Sequence, residues 1–185
     1  MVASIRPVRV NHVNLVLEDF DASVAHLRDL FGSRFLVDLP QDAWHACLVD
    51  IGGVIFELFV PNSFFLSTRY GPHHFGIEFQ ADIDQVRAAL AERRIRIIRD
   101  LDVAVYTHPA DCHGVSLEFF SESFHEDERL TGGPMRPASY WRDEHPLGLT
   151  GLRGLTHVTP DLEATAQFFC DLLDAQAMEE QERPA

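Results

Sequence analysis

The sequence predicts an α+β protein made of two copies of a βαβββ module, and three observations lead there. A strand-like run, an acidic turn and a helical run occur in that order twice, in NHVNLVLEDFDASVAHLRDLFG and in HHFGIEFQADIDQVRAALAERRI. Each helical run is followed by three strand-like runs. A histidine in the first strand of each copy stands 45 residues (His12 to Glu57) or 44 residues (His74 to Glu118) before a glutamate in the last strand. Matched spacing of this kind is the mark of an internal repeat.

In the first copy Val10, His12, Asn14 and Val16 alternate with Val13, Leu15 and Leu17, the period of a strand. Asp19 or Asp21 then supplies a side-chain oxygen for a helix N-cap. Val24, Leu27 and Leu30 follow at helical spacing, and Gly32 ends the helix. Strands are predicted over 35–39, 46–50 and 54–60. In the second copy Asp82 or Asp84 precedes Val86, Ala89 and Leu90, and strands are predicted over 95–98, 103–107 and 115–120.

These copies make one domain over 1–123, with modules at about 8–62 and 71–123. Residues 124–150 lose all periodicity, are rich in charge, Gly and Pro, and read as a linker. GLTHVTPDLEATAQFFCDLL then opens a third copy, so that 151–185 reads as a partial module of one strand and one helix.

Composition narrows the chemistry. The 185 residues carry 29 acidic and 15 basic side chains, for a formal charge of −14, and every basic residue is arginine. Without lysine there is no side-chain Schiff base and no P-loop lysine. The acidic balance opposes a nucleic-acid or anionic-membrane surface. Cys47, Cys112 and Cys170 lack metal or disulfide spacing, which fits reduced thiols and a cytoplasmic location. The longest apolar run, 54–60, is broken by Glu57 and is too short to span a membrane.

Within a strand, alternate residues share a face, so His12 points with Asn14, and His74 with Gly76 and Glu78. Glu57 and Glu118 lie in mid-strand among apolar neighbours, where a carboxylate is costly to bury unless its charge is compensated. A divalent metal would do so. Two imidazoles and two carboxylates, His12, Glu57, His74 and Glu118, form an N2O2 donor set suited to Fe, Mn, Co, Ni or Zn. Coordination beyond four leaves positions for a pair of substrate oxygens.

These residues carry a family resemblance. Over about 8–123 the chain resembles the vicinal oxygen chelate superfamily of glyoxalases, bleomycin-resistance proteins and extradiol dioxygenases. Within it the nearest look is of methylmalonyl-CoA epimerases and glyoxalase I, and HPADCHGVSLEFF and PHHFGIEF are similar to stretches of the epimerases. The resemblance implies a curled mixed sheet around a metal cavity, with His12, Glu57, His74 and Glu118 as ligands. It further implies isomerase, epimerase or lyase chemistry in which the metal binds vicinal oxygens and stabilises an enolate. Glu118 then serves as a base, with Glu78 or His45 as a second proton-transfer group. Such epimerases carry a base glutamate on the third strand of the first module, where this chain has His45 or Cys47 as the expected cavity residues. Asn14, Cys47, Phe59, Ser116 and Phe120 are expected to line the cavity.

Two alternatives follow from the same reading: an Fe(II) dioxygenase cleaving a catechol or hydroxyketone, and a metal-free protein that sequesters a small molecule such as an antibiotic. The expected partners are a small oxygenated metabolite and a second copy of the chain in a homodimer, with no nucleic acid and no membrane. Arg69 and Arg99 are the candidates for holding an anionic substrate tail.

Overall fold

The computed structural model describes residues 3–40, 44–61, 73–126, 130 and 133–178. The first module runs β1 (Arg9–Val16), α1 (Phe20–Phe31), β2 (Arg34–Pro40), β3 (Trp44–Ile51) and β4 (Val54–Pro61). The second runs β5 (His73–Gln80), α2 (Ile83–Arg93), β6 (Ile97–Asp100), β7 (Ala104–Thr107) and β8 (Ser116–Phe120). All eight strands join one open mixed sheet in the order β2-β3-β4-β1-β5-β8-β7-β6.

The order is that of one four-strand half repeated about the β1–β5 seam. β1 pairs with β4 in parallel, β5 pairs with β8 in parallel, and the equivalent strands β1 and β5 pair antiparallel. Asn14 and Gly76, equivalent positions in the two copies, face each other across that seam. A pseudo-twofold axis therefore passes between them, two residues from His12 on one strand and two from His74 on the other.

Helix capping follows the sequence signals. The Asp19 carboxylate accepts from Ala22 N and the Asp82 carboxylate from Gln85 N, satisfying donors that the first turn leaves open. Gly32 ends α1 in the left-handed region at φ 59°. Arg94, Ile95 and Arg96 close the end of α2, through Arg94 N to Ala91 O, Ile95 N to Leu90 O and Arg96 N to the Asp111 carboxylate. Because that cap uses their backbone donors, β6 begins at Ile97 and not at the expected residue 95.

Both helices pack on one face of the sheet. Leu17, Cys47, Val49 and Leu58 are buried beneath Phe20, Val24 and Leu27 of α1. Val86, Ala89 and Leu90 of α2 pack on Leu117, Phe119 and Val105. The opposite face carries the site described below.

The partial third copy forms only its helix, α3 (Leu162–Leu173), capped by Asp161. Leu172 is fully buried against the α2 core, and its carbonyl accepts from Ile5 N. The strand expected before it is not formed: 151–159 pair with no strand. A strand holds only when a neighbour supplies its ladder hydrogen bonds. In the two full modules that neighbour is the module's own last strand. No described helix is long and apolar enough to cross a membrane.

Candidate metal centre

The site sits on the helix-free face at the β1–β5–β8 seam. Pairing places His12 opposite Glu78, and Glu78 opposite Glu118, in one row across three strands. β4 lies on the other side of β1 and sets Glu57 beside Asn14. All are buried: His12 is 0%, Glu118 2%, Glu78 3% and Glu57 8% exposed.

His12 is the hub. Its Nε2 lies 2.8 Å from Glu57 Oε2 and its Nδ1 lies 3.2 Å from Glu78 Oε1. Among the described residues, neither nitrogen has a partner aligned for a hydrogen bond. Ligand atoms of His12, Glu78 and Glu118 all lie within 4.8 Å of one another. Two asparagines hold the carboxylates from outside. Asn14 Nδ2 donates to Glu118 Oε2 at 2.8 Å, and Asn11 Nδ2 donates to Glu78 Oε1 at 3.1 Å.

Three buried carboxylates therefore surround one imidazole. Burial disfavours the charged form of the His12 ring, yet Glu78, Glu57 and Glu118 outweigh it and raise the imidazole to about 9. Burial also pushes the Glu78 and Glu118 carboxyls up, and the neighbouring carboxylates push further in the same direction. Even with His12 protonated, the cluster is short of positive charge. A divalent cation would supply what is missing, with one ring nitrogen of His12 and the carboxylate oxygens of Glu78 and Glu118 close enough to share it. The residues present fit a metal.

The structure brings His12, Glu57 and Glu118 together, and Glu78, read from sequence as a proton-transfer group, joins His12 and Glu118 at ligand distance. His74 lies in β5 opposite Leu15, and its side chain is outside the described residues. Asn14, Phe59, Ser116 and Phe120 all face the site. Ser116 is fully buried and its hydroxyl has no hydrogen-bond partner among the described residues.

The expected cavity positions of His45 and Cys47 are corrected by the structure. Leu48 pairs with Glu57 and Ala46 with Phe59, so those two residues face the site, while His45 and Cys47 point to the helix side. His45 stacks on Phe20 at 4.1 Å and meets Asp38 Oδ1 at 2.6 Å. The Cys47 thiol, pushed up to about 12 by burial first and then by Asp38 and Glu57, is inert in the α1 core. The register of β3 on β4 decides this; a one-residue change of register swaps the faces of every side chain. Of the tail-holding candidates, Arg99 lies over the Tyr106 ring, 5.6 Å from its centroid, and Arg69 is outside the described residues.

Three residues of the site escaped the sequence reading. Asn11 precedes His12 and by strict alternation belongs on the helix face, but the β1–β5 register shifts between Val10 and His12. Such a bulge re-aims a side chain. Tyr106 extends the row outward from Glu118, and Glu118, followed by Glu78 and Glu57, reinforces burial in raising its phenol. Phe124, from the segment taken for a linker, lies 5.4 Å from His12, ring to ring. Only the motif LEFFSESF, in which aromatics continue past β8, hinted at it.

No family model matches the chain. Mitochondrial methylmalonyl-CoA epimerase of Mus musculus is 27% identical over 130 residues, spanning 60% of this chain and 71% of that protein. The crystal structure of methylmalonyl-CoA epimerase from Mycobacterium tuberculosis superimposes with a TM-score of 0.55 at 19% identity, over 65% of this chain and 91% of that one. A variant of the Streptomyces coelicolor epimerase in complex with 2-nitronate-propionyl-CoA superimposes with a TM-score of 0.53 at 21% identity, over 63% and 96%. The structural likenesses bear on fold, and the sequence relatives support an enzyme of epimerase type. With its two βαβββ modules joined at equivalent strands and its buried histidine and carboxylates on that seam, the chain has the fold of the vicinal oxygen chelate proteins.

Proposed function

We propose that the protein is a metal-dependent epimerase that removes and returns a proton at the carbon between two carbonyl groups, as in methylmalonyl thioesters. The observation that carries this reading is the buried His12–Glu57–Glu78–Glu118 cluster, short of positive charge and with its imidazole nitrogens turned to carboxylate oxygens. In the proposal His12, Glu57, His74 and Glu118 hold the metal. When bound, a divalent ion supplies Lewis-acid stabilisation of the substrate oxygen on which charge builds up as the adjacent carbon loses its proton.

The remaining work falls to the chain. A proton taken from one face and returned to the other needs two groups. On β3 the residues opposite Glu57 and Phe59 are Leu48 and Ala46, neither of which can carry a proton, and the buried Asp50 carboxylate farther along that face is taken up by Gly53 N and Arg136 N. Both groups then come from the second module: Glu118, oriented by Asn14, and Glu78, oriented by Asn11. The Ser116 hydroxyl supplies a hydrogen bond to a substrate oxygen, and Phe59 and Phe120 keep water from the reacting carbon.

Two measurements test the reading. Metal analysis after expression with Mn, Fe, Co, Ni and Zn supplied should give about one equivalent; less than roughly one-tenth sinks the metal assignment. Metal-loaded protein in D2O should then wash deuterium into C2 of methylmalonyl-CoA. No exchange above the protein-free rate sinks the epimerase.

A further inference from the structure

The segment after β8 does more than connect. Beyond β8, Phe124, Leu130 and Met135 lie on Leu36, Val37, Leu48 and Ile55, on the first half of the site face. At the start of the segment Phe124 is placed between the rings of His12, at 5.4 Å, and Phe120, at 5.1 Å. The half-buried ring also packs against that Leu36, Val37, Leu48 and Ile55 cluster of the first module.

This placement is enforced at both ends. Asn11, 1% exposed, ties the start to the site: its Oδ1 accepts from Phe124 N at 3.1 Å, and its Nδ2 is shared between Glu78 Oε1 and the Glu122 carbonyl. The Asn11 carbonyl meets His125 Nε2 at 3.1 Å. Further along, Arg136 N donates to the buried Asp50 carboxylate, and its guanidinium donates to Gly32 O and to Tyr140 Oη. Arg34 donates to Pro134 O, and Trp141 is fully buried. Phe124 is thus tied to the site through Asn11, whose Nδ2 also holds the buried Glu78 carboxylate, and moving it breaks those hydrogen bonds.

We propose that Phe124, held by Asn11, is a specificity-determining residue: it closes the first-module side of the metal centre and limits the substituent a substrate can carry beside the reacting carbon. The substrate is thereby directed over the second-module half, along Ser116 and Tyr106, and the enzyme selects compact acyl groups. The inference rests on the epimerase reading for its substrate class, but the wall itself is a statement about access.

The test separates the two. In Phe124→Ala, the kcat/KM ratio of ethylmalonyl-CoA to methylmalonyl-CoA should rise about tenfold or more over wild type, mainly through KM, as expected for one methylene in an apolar pocket. Phe124→Leu, which keeps an apolar contact with Phe120, should fall between. Independently of turnover, EDTA should strip Co(II) from Phe124→Ala several-fold faster than from wild type at equal metal content. If wild type exchanges no malonyl thioester, the epimerase reading falls and the stripping rate alone decides the wall. An unchanged substrate ratio in an active, folded Phe124→Ala protein, or an unchanged stripping rate where there is no turnover, overturns the proposal.

Discussion

Raising the pH should destabilise this protein when divalent metal has been removed, and the site geometry sets the size and sign. The His12 imidazole titrates near 6.5 in an unfolded chain and at about 9 in the folded one, because Glu78, Glu57 and Glu118 outweigh its burial. Between those values the folded state binds the extra proton, so its stabilisation is complete below pH 6.5 and is lost as the pH rises through 9. At ~1.4 kcal/mol per tenfold change in proton concentration, the imidazole alone accounts for about 3 kcal/mol. Glu78 and Glu118, also raised, act with the same sign from a lower starting pH. For a chain of this length, about 3 kcal/mol corresponds to a fall in Tm of about 6–12 °C. Differential scanning calorimetry of chelator-treated protein from pH 6 to 9 measures it. Metal restored in excess should flatten the profile, because binding displaces the same protons and tightens as pH rises. A Tm that stays level or climbs across this window in metal-free protein refutes the picture of a proton-holding cluster awaiting a cation.

Three further outcomes are expected. Glu118→Gln removes both a proposed ligand and the group oriented by Asn14, and should lower proton exchange by about 10²–10⁴-fold, read by deuterium wash-in, with reduced metal content. Gly76→Ala sets a Cβ 2.5 Å from the Ser116 carbonyl on the neighbouring strand, so β5 and β8 must part where they align Glu78 with Glu118. A loss of about 1–3 kcal/mol in urea unfolding and weaker metal binding should follow together, and metal affinity at the wild-type value would count against this placement. Leu90→Ala empties a fully buried position shared by α2 and α3 and should cost about 2–5 kcal/mol by urea titration, while leaving metal stoichiometry unchanged.

The module pattern was legible because its signals are local. Alternation over β1, the Asp19 and Asp82 caps and the run of Val86, Ala89 and Leu90 each depend on neighbours within a few residues, and the repeat doubled every one of them. The spacing from His12 to Glu57 and from His74 to Glu118 carried the position of the site in the same way. His45 and Cys47 were misplaced because the face a strand turns to the site depends on its register against β4, which is a pairing between segments and not a property of either. Asn11 was missed for a related reason: a bulge against β5 breaks the alternation from which its direction would be read.

The sequence by itself therefore determined the two modules, their acidic caps and a histidine–glutamate pair in the first, since periodicity and repeat spacing are written in consecutive residues. Only the tertiary structure decided that Glu78 stands at ligand distance from His12, that β3 sets Ala46 and Leu48 where His45 and Cys47 were expected, and that Phe124 lies against the His12 ring. Those are contacts between residues from 9 to 112 positions apart, and they are set by strand order, register and a bulge that no local pattern encodes.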